Sequence, residues 1–480
     1  MKLTFAKTDI DQAPKEYVRI RLVEEARGTK RLVREGATTW LEIGVGKASD
    51  MSRRRFVLLC RAIVRAAREF KARKIALQFD KTPELFKNLQ DITPEDISIT
   101  AAIAYEMANY EHTTYKTKPK DGWNEVDEIR LSGRSSKSIE DATKRGQIIG
   151  QAINATRELS NTPGGDMTPQ HLASAAKLAA KGTPIKVKVL GRKEIEKLGM
   201  GGVLGVGKGA ADEPKFIVME YWGAGKKDKP VVLAGKGVTF DSGGQQVKPG
   251  DHMYEMHMDM SGGAAVINAI ALAAKLKVKT NVVGLIPAVE NATGPNAMRP
   301  GDIFKSLSGK TIEILHTDAE GRVILADAIT YAKRYNPAVV ADVATLTGAA
   351  LIALGEQASA YMTNDHPQGL TIKEYLDMAE SSGDYMWPMP LWEEYDDMVK
   401  GKFGDVPNIS TAGNSRYGGV IAGGKFLEVF AKELDCPWVH IDMAPKMTSA
   451  PNEFLAKGAA GAPVRFLLAL IEKHANRPAR

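Results

Sequence analysis

Asp318, Glu320 and Arg322 occupy alternate positions in the run Ile314-Leu315-His316-Thr317-Asp318-Ala319-Glu320-Gly321-Arg322. Side chains two apart on an extended segment leave the same face, so the spacing predicts two carboxylates and a guanidinium projecting together. Upstream, Lys236, Asp241, Lys248 and Asp259 follow one another through a glycine-rich stretch that opens Gly235-Lys236-Gly237-Val238-Thr239-Phe240-Asp241-Ser242-Gly243-Gly244. Burying so much charge without compensation is very costly. Two divalent cations would compensate it. Four carboxylates balance two dications, which leaves Lys248 and Arg322 to meet negative charge that develops in a reaction, as on an oxyanion. Hard oxygen ligands suit Mg²⁺ or Mn²⁺, and Zn²⁺ also accepts carboxylates. One carboxylate shared between ions about 3.5–4 Å apart makes a two-metal site.

Other chemistries fit these residues less well. Gly-Lys-Gly-Val-Thr lacks the four-residue spacer of a phosphate-binding loop. Ser242 has neither a matched histidine nor a nucleophile elbow. The histidines form no cluster, so a His-based zinc protease is not supported. A metal-dependent phosphoesterase could use a similar carboxylate pair, and on the residues alone it stays open.

The elements that must hold these groups lie in the second part of the chain. Apolar runs at 216–221, 231–234, 282–286, 339–343 and 438–443 read as strands, with helical patterns at 264–276, 323–335 and 424–434 and a last helix at 464–474. This alternation predicts a largely parallel or mixed sheet covered by helices. Ligands in such sheets bind beyond the carboxyl ends of the strands, and both charged stretches follow strands or precede helices. The first part is also α/β in character, with strand-like runs at 3–6, 17–23, 39–45 and 74–79. One amphipathic helix there carries Phe56, Leu59, Cys60, Ile63, Val64, Ala67 and Phe70 at helical spacing. Residues 113–137 are polar and read as a linker; a helix should start at Ser138, with Asp141 completing a variant capping box, and stop at Asn161-Thr162-Pro163-Gly164-Gly165. The expected architecture is α/β in two domains. These are a smaller N-terminal domain with its linker over 1–137, a connecting helix over 138–160, and an α/β/α catalytic domain over 161–480.

Composition bounds the class. The 480 residues are 44% hydrophobic and 26% charged, ordinary for a globular protein. No run of 18 apolar residues is present, so a membrane span is not expected. Residues 1–7 carry no apolar signal core, and Cys60 and Cys436 lie far apart, which together predict a cytoplasmic protein with two buried thiols. The excess of 65 basic over 58 acidic residues is small over this length. Arg53, Arg54, Arg55, Arg61, Arg65, Arg68, Lys71, Arg73 and Lys74 concentrate part of it on or beside the amphipathic helix. A solvated polar face is the expectation there, with nucleic-acid phosphate contact as the alternative. No base-reading module is visible.

The stretches GKGVTFDSGG, KPG…MHMDMSGGAAV and HTDAEGRVILADA closely resemble the leucyl (cytosol) aminopeptidase family, as do NTPGG, ENATGPNAMRPGDI and ATLTGAALIALG. The resemblance runs from about Arg157 to the C-terminus. It implies a metallo-exopeptidase that hydrolyses the N-terminal residue of peptides with two divalent ions, Mn²⁺ or Zn²⁺ or Mg²⁺. Asp241 and Glu320 would bridge the ions, Asp318 would complete one site, and Lys236 and Asp259 the other. Lys248 would stabilise the oxyanion, and Arg322 would hold a bicarbonate ion that relays a proton. Met256, Thr345, Gly348, Ala444 and Met447 would form the pocket for the first side chain, apolar and adaptable, favouring leucine or similar residues. The family also implies a homo-hexamer, two trimers with active sites facing an inner cavity, and some of its members contact nucleic acid. His316 departs from the family pattern, where asparagine is usual; it could ligate, shift metal preference, or hydrogen-bond its own loop. Gln245, Gln246 and His257 depart as well.

Overall fold

Val231–Gly235, Val339–Ala344 and Trp438–Asp442 are buried along their whole lengths, as strands covered on both faces must be. In the computed structural model, which describes residues 1–82, 87–89, 92–225, 227–413 and 417–475, they form the centre of a nine-stranded sheet. Its order is Met386–Pro388, Ser359–Thr363, Trp438–Asp442, Val339–Ala344, Val231–Gly235, Asn281–Asn291, Lys215–Trp222 and Lys186–Leu190, with Gly237–Asp241 paired to the far half of Asn281–Asn291. The central pairings are parallel. Ser359–Thr363 and Lys215–Trp222 join antiparallel on either side. The sheet is therefore mixed, within the expected α/β class.

Alternate side chains separate two layers. Val232, Ala234, Val283, Leu285, Val340 and Ala344 share a core cluster with Val323, Ile324, Phe426 and Phe430, residues of the helices Glu320–Ala332 and Gly419–Ala431. The opposite face, with Val282 and Ile286, packs against Ser261–Lys275, which in turn packs against Val464–Ala475. Asn281–Asn291 runs well past the expected end at 286. Pro287 lacks an N–H, yet residues 281–288 keep their pairing with Lys215–Trp222.

Tertiary contacts divide the chain into two units, Met1–Asn154 with Ser449–Lys457 and Ala155–Thr448 with Gly458–Arg480. The N-terminal unit holds a six-stranded sheet ordered Lys2–Ala6, Glu128–Ser132, Lys74–Gln78, Val18–Val23, Thr38–Gly44 and Lys30–Glu35. Glu128–Ser132 falls inside the stretch read as a polar linker, and takes an interior position because Ile129 and Leu131 bury their side chains. The helix expected at Ser138 begins at Lys137, and it is the Ser136 hydroxyl that accepts from Ile139 N.

The amphipathic helix is Arg53–Glu69, capped by Ser52, and it buries Phe56, Leu59, Cys60, Ile63, Val64 and Ala67 as expected, while Phe70 is the half-buried residue that caps its end. Its basic residues are not simply a solvated face. Arg61 and Arg68 are buried, and Arg68 donates to Asn124 O, Ala108 O, Asn109 O and Glu111. Among the described residues no helix is long and apolar enough to cross a membrane.

Candidate metal centre

The strand Val231–Gly235 ends where Lys236 begins, and Lys236 is 3% exposed. Its Nζ donates to Asp259 Oδ1 at 2.7 Å and Thr345 O at 3.0 Å, and lies 2.9 Å from Glu320 Oε1. The side chain takes this position over residue 321 because that residue is glycine. A Cβ there would stand 2.4 Å from Lys236 Cε and 2.7 Å from Nζ. Asp241 closes the next strand, and Asp259 lies two residues before the helix Ser261–Lys275. Glu320 is the first residue of Glu320–Ala332.

That last placement corrects the expectation of an extended segment. Asp318 sits in a turn after Thr311–Glu313, and the helix starts two residues later. Asp318 meets Lys248 from the turn and Glu320 meets Lys236 from the helix start, so the two do not leave one extended face, and the close carboxylate trio of the site does not include Asp318. Lys248 joins the two stretches, with Nζ 2.8 Å from Asp241 Oδ2 and also against Asp318 Oδ1.

Asp241, Asp259 and Glu320 each offer an oxygen within 4.8 Å of the others. Burial, and then repulsion from Glu320, pushes Asp241 up from the ordinary carboxylate range. Burial raises Asp259 well above that range, with Glu320 and Asp241 adding to the effect against the pull of Lys236 and Lys248. Asp318 is raised by burial and by Asp241. Burial alone would lower the two lysines, but the surrounding acids outweigh it and raise both. These are acids crowded together with too little positive charge. Asp259 Oδ2 and Glu320 Oε2 are buried and have no hydrogen-bond partner, a costly state for a carboxylate oxygen. Divalent cations fit these residues: the donors are hard oxygens with one amine, and two of those oxygens lack any other partner.

Side chains to which the sequence reading gave no role hold the candidate-ligand stretches in place. Asn291 Nδ2 donates to Asp241 Oδ1 at 2.7 Å and to Thr317 O at 3.0 Å. Gln246 and Thr317 clasp each other: Gln246 N donates to Thr317 Oγ1 at 2.9 Å, and Thr317 N to Gln246 Oε1 at 2.8 Å. Gly243, at φ +87, makes the turn that brings Gln246 back. The only sequence signal for these positions was the departure at Gln246 and the place of Asn291 in ENATG. His316 uses Nδ1 to accept from Asp318 N at 3.2 Å, the loop hydrogen bond among its three expected roles.

Arg322 is buried, and Nη1 donates to Asn408 O at 2.9 Å. Burial lowers its pKa against the pull of Glu320, Asp442 and Asp318, and its Nε has no hydrogen-bond partner. Asp442, which the sequence reading also missed, ties together backbone at or next to three of the five residues expected to form the pocket. Its Oδ1 accepts from Leu346 N at 3.0 Å, Thr347 N at 3.4 Å and Ala444 N at 3.2 Å. Thr345 and Gly348 flank the first pair, and Met447 follows the short turn Ala444–Lys446. Met256 opens the turn leading to Asp259, whose Oδ1 accepts from Thr345 Oγ1 at 2.7 Å.

A family profile described as "Cytosol aminopeptidase family, catalytic domain" matches residues 154–468. A protein of Aromatoleum aromaticum called "Probable cytosol aminopeptidase" is 41% identical over 431 residues, 89% of this chain and 83% of that protein. One of the same name from Nitrosomonas europaea is 37% identical over 488 residues, covering 99% and 95%. Among solved structures, a mutant of tomato leucine aminopeptidase superposes with a TM-score of 0.86 at 27% identity, over 98% of this chain and 96% of that one. A bottromycin maturation enzyme in complex with Mn does so with a TM-score of 0.83 at 28% identity, over 96% and 100%.

Proposed function

The chain belongs to the cytosol aminopeptidase family, and from that premise we propose that it removes N-terminal leucine or other apolar residues from peptides at a site built for two divalent ions. Peptide hydrolysis from the N-terminus follows from membership; the metals, the residue preference and the roles below are the proposal. Lys236, Asp241, Asp259, Asp318 and Glu320 would hold the ions. Bound there, the ions would supply Lewis acidity and lower the pKa of water toward neutrality.

The chain's own groups then divide the remaining work. Lys236 ligates only as a neutral amine, so it gives up a proton at Nζ when the site fills. Lys248, held strongly basic by its acidic neighbours, stays an ammonium and meets the oxyanion that forms on the scissile carbonyl. Arg322, with an unpartnered Nε, would keep a bicarbonate ion beside the leaving amine. Met256, Thr345, Gly348, Ala444 and Met447 would receive the first side chain. Mn²⁺ is the first ion to try, because a similar structure holds Mn; Zn²⁺ and Mg²⁺ follow. Cytoplasmic residence and a homo-hexamer complete the proposal.

The observation that carries this reading is the trio Asp241, Asp259 and Glu320, with buried oxygens lacking partners. The test is release of leucine from a leucyl-arylamide before chelation, after it, and after each ion is returned. Activity should vanish with chelator and return with about two ions per chain. Turnover indifferent to chelation, or phosphate-ester cleavage in its place, would defeat the reading. Light scattering checks the assembly: six times the chain mass is expected.

A further inference from the structure

Asn408 directly follows the short strand Val406–Pro407, which pairs in parallel with Thr311–Glu313. Its N–H donates to Glu313 O at 2.9 Å, the last rung of that backbone ladder. Past this point the chain bends into the loop 314–319, and the Asn408 side chain takes over from the ladder. Oδ1 accepts from Leu315 N at 2.8 Å and His316 N at 3.2 Å. Nδ2 donates to His316 O at 2.6 Å and Ala319 O at 3.3 Å. A carboxamide has two lone pairs and two N–H groups to offer, and here all four are committed to one loop at a residue that is 0% exposed. The backbone carbonyl of the same residue accepts from Arg322 Nη1 at 2.9 Å.

We propose that Asn408 is a positioning residue for the metal centre. Its side chain sets the backbone from which Asp318 and Glu320 reach the ions, and its carbonyl sets the reach of Arg322. The proposal rests on the metal reading given above. Removing the groups that orient metal ligands typically costs about 10–100-fold in metal affinity. Asn408→Asp keeps the size and the accepting Oδ1, but turns a second acceptor toward the carbonyls of His316 and Ala319. Asn408→Ala removes all four bonds. Asn364→Ala is the control: Asn364 also donates to one backbone carbonyl (Cys436 O) and accepts from one N–H (Trp438 N), at a place remote in the sheet from the candidate ligands.

The experiment titrates each full-length variant with Mn²⁺ by calorimetry, follows thermal unfolding, and measures kcat and KM on a leucyl-arylamide at saturating Mn²⁺. Asn408→Asp should melt cooperatively, bind the weaker Mn²⁺ about 10–100-fold less tightly, and lose kcat about 10-fold or more with KM within about 3-fold. Asn364→Ala should lower the melting temperature and leave Mn²⁺ affinity unchanged. Wild-type Mn²⁺ affinity in both Asn408 variants would overturn the proposal. So would equal loss of affinity in Asn364→Ala, or loss of cooperative melting in both Asn408 variants, because either marks a general packing role. A wild-type protein that binds Mn²⁺ but releases no amino acid would defeat the peptidase reading alone, and the affinity ratios would still decide the role of Asn408.

Discussion

Replacing Gly321 with alanine puts a methyl group 2.4 Å from Lys236 Cε, 2.7 Å from Nζ and 2.8 Å from Cδ. Ordinary carbon contact begins near 3.4 Å, so the end of the lysine must retreat by about 1 Å. Its Nζ contacts at 2.7, 2.9 and 3.0 Å then cannot all survive. The retreat itself is inexpensive, since the obstructing atoms are the tip of a flexible side chain. Alanine also suits the helix Glu320–Ala332 better than glycine by about 0.5–1 kcal/mol. That gain offsets an off-rotamer cost of about 0.5–1.5 kcal/mol in Lys236. The lost contact of a buried ammonium remains, about 1.5–3 kcal/mol, a fall of roughly 2–5 °C in melting temperature for a unit of this size. Function should respond differently. A displacement of about 1 Å in a reacting array costs about 100-fold, or about 2.7 kcal/mol. The assay compares kcat/KM on a leucyl-arylamide with the thermal midpoint of the same preparation. An alanine variant that keeps both wild-type turnover and wild-type metal content would refute the assignment of Lys236 to the site.

Lys248→Ala should lower kcat by about 10²–10³-fold with a smaller change in KM, because the lost charge acts on the transition state; steady-state kinetics at saturating metal checks this. Asp327, fully buried and accepting from Val203 N and Leu307 N, is pushed up to about 7 by burial against those backbone donors. A carboxyl raised on folding contributes stability that is complete below its unfolded value near 3.8 and is lost as pH rises through about 7. Denaturant melts of wild type and Asp327→Asn across pH 4–8 should show the wild-type advantage shrinking through that window; a constant difference would contradict it.

The charged candidate residues were legible because charge is conspicuous in an apolar, glycine-rich setting. Lys236, Asp241, Lys248 and Asp259 could be picked out one by one, and the apolar strands that end beside them could be placed. The conformation around Asp318 was not legible. Period-two spacing suits an extended chain, but a helix that starts at Glu320 satisfies the same spacing by turning. Asn408 was invisible for a different reason. It lies in Gly-Asp-Val-Pro-Asn, which reads locally as a turn, and its partner His316 is 92 residues away. Uncharged amides advertise nothing until their partners are known. The basic helix misled in the opposite sense, since Arg61 and Arg68 spend their charge inside the N-terminal unit.

Two candidate ligands share a location in their helices: Glu320 opens one, and Asp259 stands just ahead of another. The aligned peptide dipoles of a helix leave about half a positive elementary charge at its beginning. Backbone alone thus supplies a standing positive field beside both acids, and at Asp259 it works against the burial and carboxylate repulsion that oppose ionisation. Part of the work of preparing the centre is thereby done by main chain that no side-chain substitution can remove.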